Sequence, residues 1–262
     1  MITLPHSTTN PSTAALFVIV PVCNEEGLLP NCLAALARQS DKRFSIVVVD
    51  NASTDATPDI ATTFAASSPV PTIVIREPER GIGMAVDSGF AFAIAHGAAW
   101  LARTDADSVP DPQWIAEIRS TFASGAQFIC GRSTLRADES PTVAERLVPH
   151  AKTVFARFGS LLSRHRGKSF VGPFVLCSGH NLALTAALYS RCGGTPRWRE
   201  SEGHEDLELL NRARRHTPAV VRNENMIVAT SVRRFREMGF VGAFRWYSRA
   251  PSPGRTTGRA AT

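Results

Sequence analysis

Thr104-Asp105-Ala106-Asp107 places two carboxylates one residue apart, directly after an apolar stretch. Such a pair can converge on a hard divalent cation, Mg²⁺ or Mn²⁺, which prefers oxygen ligands and also takes phosphate oxygens. A cation held there would neutralise charge growing on a departing diphosphate without moving a proton. The same residues, followed by Ser108 and Pro110, could equally form an ordinary turn, because Asp, Ser and Pro all favour turns. Cys177 and His180 stand three apart, but one such pair without a second does not make a zinc site.

The elements that must position these carboxylates follow from the apolar pattern. Residues 16–22, 44–49 and 72–75 are continuous apolar runs rich in valine and isoleucine, as expected of strands buried on both faces. Between them, Leu28, Leu29, Cys32, Leu33 and Leu36, and then Ile60, Thr63 and Phe64, fall at helical spacing. Asp55 begins a helix start with Pro58 in the first turn, and Ser53 or Thr54 could equally be the cap. A third helix over 84–96 leads to a strand over 98–103, and a fourth, after Pro110 and Pro112, leads to a strand over 127–131.

This alternation predicts an α/β fold with a mostly parallel central sheet flanked by helices. Ligands of such sheets gather at the carboxyl ends of the strands, where Asp50, Asp105 and Asp107 fall. Residues 132–170 break the rhythm: they are basic, carry a predicted helix over about 143–163, and suit a lid or acceptor-binding insertion. A helix over 206–215, short strands near 219–221 and 226–232, and a Pro/Gly/Arg-rich tail complete the chain.

At 262 residues and 44% hydrophobic content the chain supports one sizeable core rather than two equal domains. Residues 1–14 are polar, with Pro5 and Pro11, and read as a disordered lead-in rather than a signal peptide. No apolar segment reaches the roughly 18 residues a membrane-spanning helix needs. Five cysteines at irregular spacing predict free thiols and a cytoplasmic protein. The formal charge of +6 conceals an asymmetry: residues 1–130 carry 7 basic and 13 acidic side chains, whereas residues 233–262 carry 7 and 1. An acidic first half suits a divalent cation; a basic second half suits phosphates, an anionic acceptor or an anionic membrane surface.

Six segments then carry a likeness. Ile19-Val20-Pro21-Val22-Cys23-Asn24-Glu25-Glu26 closes the first strand and Val47-Val48-Val49-Asp50-Asn51-Ala52-Ser53-Thr54-Asp55 the second. Arg80-Gly81-Ile82-Gly83-Met84-Ala85-Val86-Asp87-Ser88-Gly89 follows, then the Asp105/Asp107 pair with Pro110, Ser178-Gly179-His180-Asn181-Leu182-Ala183, and Glu205-Asp206. In this set and order, over most of residues 16–215, the chain resembles the family 2 glycosyltransferases of the GT-A fold.

The resemblance implies a single GT-A domain over residues 15–232, with a nucleotide-binding half at 15–131 and an acceptor-side half at 132–232, followed by a basic C-terminal segment at 233–262. It implies an inverting transfer from a nucleoside diphosphate-sugar, a UDP-sugar being favoured, to an acceptor hydroxyl. Asp50 would accept from the N–H edge of the base, with Pro21, Asn24, Glu25 and Asn51 lining the same pocket, although a turn or cap role fits Asp50 as well. Arg80 and Gly81 would approach base or phosphate, and Asp87 could join them or be an ordinary helix-surface residue. Asp105 and Ala106 would lie against the donor, with Asp105 and Asp107 holding the Mg²⁺ or Mn²⁺.

Asp206 would act as the general base and Glu205 as its positioning partner, though acidic residues also suit a helix N-terminus. Arg233 and Arg234 stand where relatives place a basic group on the donor diphosphate. The polymerising members' Gln-x-x-Arg-Trp motif is matched only in part, by Phe244-Arg245-Trp246, which argues for single transfer. Val154, Phe155, Phe158, Leu161 and Leu162 fall at helical spacing beside Lys152, Arg157, Arg164, Arg166 and Lys168. That helix could rest on an anionic inner membrane face and present a lipid-linked acceptor, or pack on the core with a solvated basic rim. A nucleotidyltransferase would use similar carboxylates but wants a basic Gly-rich loop where Cys23-Asn24-Glu25-Glu26 stands; a non-catalytic nucleotide-sugar binder is the other alternative. Nothing in the sequence points to nucleic acid.

Overall fold

The computed structural model describes residues 15–143, 145, 169–198, 204–233, 236, 237 and 239. The lead-in at 1–14, nearly all of the predicted helix over 143–163 and most of the basic tail, Arg234 included, lie outside the described residues.

Eight strands form one sheet: β1 (Leu16–Val22), β2 (Ser45–Asp50), β3 (Thr72–Arg76), β4 (Trp100–Arg103), β5 (Ser108–Pro110), β6 (Phe128–Leu135), β7 (Leu182–Thr185) and β8 (Val220–Thr230), in the order β3-β2-β1-β4-β7-β6-β8-β5. The helices are α1 (Leu29–Ala37), α2 (Thr57–Ser67), α3 (Ile82–Ala95), α4 (Trp114–Ala123), α5 (Ala186–Arg191) and α6 (Glu205–His216). The first half is parallel as expected: β1 pairs with β2 and β4, and β2 with β3. The second half is mixed, because β7 runs antiparallel to β4 and β6, β8 parallel to β6, and β5 antiparallel to β8. Only residues 104–107 separate β4 from β5, yet the two strands lie far apart in the sheet order. The sheet must therefore curl, and the Asp105–Asp107 turn spans the curl.

The apolar runs of β1 and β2 are buried on both faces. Val18, Val20 and Val48 belong to one core layer with α1 and α4, and Ile19, Val47 and Val49 to the other with α3, α5 and α6. Alternation along the strand thus feeds two helical layers.

Two predicted strands, near 219–221 and 226–232, are one strand, β8. Its register against β6 slips between Gly131, opposite Asn223, and Arg132, opposite Ile227. The slip is stabilised by Asn223, whose Oδ1 accepts the backbone N–H groups of Asn225 (2.8 Å) and Met226 (3.3 Å). That local turn read as a break in the strand. At the predicted start of α2, the Asp55 carboxylate accepts N–H groups from both Thr57 and Glu26, while Ala56 occupies the cap position.

Two contacts set the geometry around the sheet's carboxyl edge. At Gly83, in the first turn of α3, a Cβ would come within 2.2 Å of the Pro196 carbonyl oxygen, so helix and segment touch backbone to backbone. Asn181, fully buried, accepts from the Trp114 indole N–H (2.9 Å) and donates to the carbonyls of Arg132 and Met226 (2.9 Å each). One amide thereby ties α4, β6 and β8 together. Asn181→Ala strands three buried polar groups, and we expect a loss of about 3–5 kcal/mol in urea denaturation; a loss below about 1 kcal/mol would show that the amide is dispensable.

Candidate active site

The register of β1 against β2 pairs Val22 with Asp50, and its register against β4 pairs Ile19 with Arg103. The loops after these three strands therefore emerge at one edge. The loops after β1 and β2 are hydrogen-bonded to each other: Asn24 donates its N–H to Ser53 Oγ (3.1 Å), and its Oδ1 accepts from the Thr54 N–H (2.7 Å). Glu25 N–H donates to Thr57 Oγ1 (2.8 Å), and Ala56 N–H to Glu26 (3.0 Å). Asn24 holds φ 55° and Ala52 φ 58°, left-handed backbone that the mutual bonding sustains. Asp50 is buried at the end of β2, where its Oδ1 accepts the Ser53 N–H (3.1 Å). Pro21 is buried within β1.

Asn51 is bonded into the loop that follows β3. Its Nδ2 donates to the carbonyls of Glu77 (3.0 Å) and Glu79 (2.7 Å), and its Oδ1 accepts the Gly81 N–H (2.7 Å). The amide is occupied in holding the loop that carries Arg80. Arg80 is exposed, with Nη2 3.2 Å from Cys23 Sγ at the end of β1. Asp87 accepts from the Tyr189 hydroxyl (2.7 Å) and lies 3.4 Å from Arg197 Nη1. Arg197 also pairs with Glu77 (3.2 Å) and Glu79 (3.0 Å). Asp87 is thus part of a charged network joining α3 to the segment around Arg197.

The acidic pairs meet through a residue that the sequence reading passed over. Arg103, 3% exposed at the end of β4, donates from Nε to Asp105 Oδ1 (2.9 Å) and from Nη1 to Glu205 Oε1 (2.8 Å). Burial works against the guanidinium's charge, but Asp105 and Glu205 more than offset it and hold the group firmly protonated. Glu205 is itself buried, which pushes its carboxyl upward against the opposing pull of Arg103. Asp206, next along, accepts the Leu207 N–H at the start of α6 (2.7 Å). A buried arginine closing an apolar strand needs a carboxylate, and that rule was the available signal.

On the other side of the turn, Ser108 Oγ lies 3.0 Å from Asp107 Oδ1 and 3.3 Å from Thr230 Oγ1, so β5 seats the end of β8 beside the acidic pair. Arg233 follows and pairs with Glu25. Glu139 secures this approach by accepting from the Ser231 hydroxyl (3.0 Å) and the Val232 N–H (2.8 Å). Ala106 is buried between the two carboxylates. His180 Nε2 is 2.7 Å from Ser133 Oγ. Among the described residues no group of three His, Cys, Asp or Glu side chains forms a ready-made metal cage.

Burial raises the Asp107 carboxyl from 3.8 to about 6, with nearby Asp105 and Glu25 adding to the effect. Glu25 also has a buried Oε2 with no hydrogen-bond partner. Asp107 thus sits in a buried, acidic neighbourhood that Arg233 only partly offsets, and a divalent ion completed by ligand oxygens would fit it.

Comparison with known proteins gives the family and the fold. The family description "Glycosyl transferase family 2" matches residues 17–179, and the chain belongs to that family. A Mycobacterium bovis PGL/p-HBAD biosynthesis glycosyltransferase is 37% identical over 90 residues, 34% of each chain. An undecaprenyl-phosphate mannosyltransferase of Micrococcus luteus is 33% identical over 103 residues, 39% of this chain and 42% of that one. The matched part thus spans well under half the length of these two relatives. In fold, mannosyltransferase PcManGT of Pyrobaculum calidifontis, solved with GDP-Man and Mn²⁺, superposes with a TM-score of 0.60 at 20% identity over 91% of this chain and 66% of that one. Glucosyl-3-phosphoglycerate synthase of Mycobacterium tuberculosis, solved with Mn²⁺, UDP and phosphoglyceric acid, superposes at 0.59 and 17% identity over 88% and 76%. The architecture is that of the GT-A glycosyltransferases. Among the described residues no helix is long and apolar enough to cross a membrane.

The Asp107 carboxyl carries a stability consequence with a definite sign. Between its unfolded value of 3.8 and its folded value of about 6, the native state holds a proton that the unfolded chain has released. Stability from this group therefore falls as pH rises through that window and stays lower above it. Without metal, Asp107→Asn should stabilise the protein by about 1–2 kcal/mol at pH 7.5, with the gain vanishing toward about pH 4. Urea denaturation at the two pH values checks this; no gain at pH 7.5 contradicts the assigned burial cost.

Proposed function

We propose that this protein is a metal-assisted, inverting glycosyltransferase that moves one sugar per encounter from a nucleoside diphosphate-sugar, most simply a UDP-sugar, to an acceptor hydroxyl. The observation that carries the reading is the meeting of two acidic pairs, Asp105/Asp107 and Glu205/Asp206, through one buried guanidinium at the carboxyl edge of the parallel strands. One pair suits the donor diphosphate and the other the acceptor.

Asp105 and Asp107 would hold Mg²⁺ or Mn²⁺, which supplies charge neutralisation on the leaving diphosphate. Asp50 accepts from the base, in a pocket shaped by Pro21, Asn24 and Glu25. Arg80 and Arg233 offer guanidinium groups to the donor, Arg233 by leaving Glu25 for a phosphate oxygen. Arg234 is assigned to the same task on sequence grounds alone. Asp206 takes the proton from the attacking hydroxyl on the face opposite the leaving group, which inverts the anomeric centre, and Glu205 is held so that Asp206 faces that side.

The relatives and neighbours support this choice of chemistry: one is named for transfer on undecaprenyl phosphate, and others were solved with UDP-GlcNAc, UDP or GDP-Man. A lipid-linked acceptor approached from the cytoplasmic face of a membrane is consistent with the basic stretch at 146–168.

A thermal-shift panel of UDP, GDP, dTDP and CDP, each with and without Mn²⁺, tests the donor side. We expect one diphosphate to raise Tm only with Mn²⁺ and the rise to disappear in Asp107→Ala. Asp206→Ala should keep that stabilisation but lower transfer by at least about 100-fold. Surviving transfer overturns the base assignment, and binding without any donor turnover favours a nucleotide-sugar binding protein instead.

A further inference from the structure

Arg103 is held more rigidly than a structural ion pair requires. Its backbone is fixed on both sides, opposite Ile19 of β1 and Leu182 of β7. Its guanidinium is pressed by Gly179, where a Cβ would lie 2.9 Å from Cζ, Nη1 and Nη2 alike. A side chain at 179 would occupy the space the fork now fills. From this fixed seat the two ends of the guanidinium grip carboxylates that the chain supplies 102 residues apart, Asp105 in the turn after β4 and Glu205 at the start of α6.

The planar fork fixes angle as well as distance, which an ammonium on a flexible stem does not do. Neither carboxylate can move relative to the other while both bonds last. An apolar replacement would leave the buried Glu205 and the half-buried Asp105 without their cation, so stability alone calls for a positive charge here; what the fork adds is a fixed angle between the two carboxylates.

We propose that Arg103 is a positioning residue for transfer: it touches neither donor nor acceptor, and it sets the spacing between the cation-side carboxylate Asp105 and the acceptor-side pair Glu205/Asp206. This rests on the glycosyl-transfer reading above. Attack in line with the leaving diphosphate depends on that spacing, and a misplacement of about 1 Å can lower a rate by as much as about 100-fold.

Two variants test the spacing in independent ways. Arg103→Lys keeps a cation but can satisfy only one carboxylate well, and Gly179→Ala keeps the arginine but drives a methyl group against its fork. With the nucleoside diphosphate-sugar whose diphosphate the wild type binds, donor hydrolysis in Mn²⁺ should fall at least about tenfold in kcat for each variant. The Kd for diphosphate with Mn²⁺ and the donor KM should stay within about threefold of wild type. Because both changes act on one fork, Arg103→Lys with Gly179→Ala should lose no more than the worse single variant, whereas independent effects would multiply.

A kcat within about twofold of wild type in a folded Gly179→Ala variant overturns the proposal. So does a loss of diphosphate affinity that matches the loss of rate, which would place the effect on the cation side alone rather than on the spacing. If Arg103→Lys fails to fold, Gly179→Ala decides alone. A wild-type protein that takes no nucleoside diphosphate with Mn²⁺ overturns the reading of the site itself, and that outcome is distinct from a fault in either variant.

Discussion

Strand β1 lies in register between two parallel neighbours, and every other feature of the site depends on that pairing. Val22 opposite Asp50 and Ile19 opposite Arg103 bring three loops to a common edge. A slip of one residue would exchange the faces of the strand, sending Val18 and Val20 into the layer now built around Ile19 and α3. The two buried layers therefore penalise any other register, and the positions of the carboxylates follow from apolar packing rather than from their own interactions.

Placing charge at that edge has an energetic cost which the protein meets unevenly. Arg103 is satisfied by two acceptors, and the Asn51 amide by three backbone groups. Asp107 keeps a carboxyl raised by burial that Arg233 only partly offsets, and Glu25, though paired with Arg233, keeps one buried oxygen without a partner. Groups held in such unfavourable surroundings are common where a ligand is meant to complete the electrostatics. The contrast between a satisfied interior arginine and an unsatisfied rim carboxylate separates what the fold supplies from what a bound molecule must supply.

The parallel half of the sheet was readable because its strands are unbroken apolar runs and its helices carry clear spacing. Leu16–Val22 was legible to the residue. Two strands of the mixed half were not, because they are defined by partners distant in sequence: β5 is three residues long and β7 four, too short to carry a period. The carboxylates of the site could be named from motif order, since their types are dictated by chemistry. Their partners were harder to see. Arg103 reads as an ordinary strand end, and no local pattern shows that the Asn51 amide holds three backbone groups. Asp87 could have been either surface or site, and Tyr189 and Arg197 place it in a charged network that no local pattern encodes.

The backbone contact at Gly83 limits how far the start of α6 can lie from α3. Segment 196–198 is seated against α3, and α6 begins at Glu205, so seven residues, 199–205, lie between this anchorage and Asp206. A chain of that length reaches at most about 25 Å when fully drawn out. The connection works as a tether: the acidic tip of α6 cannot lie farther than that from the helix that begins beside Arg80, and the bond from Arg103 to Glu205 holds it within reach of β4.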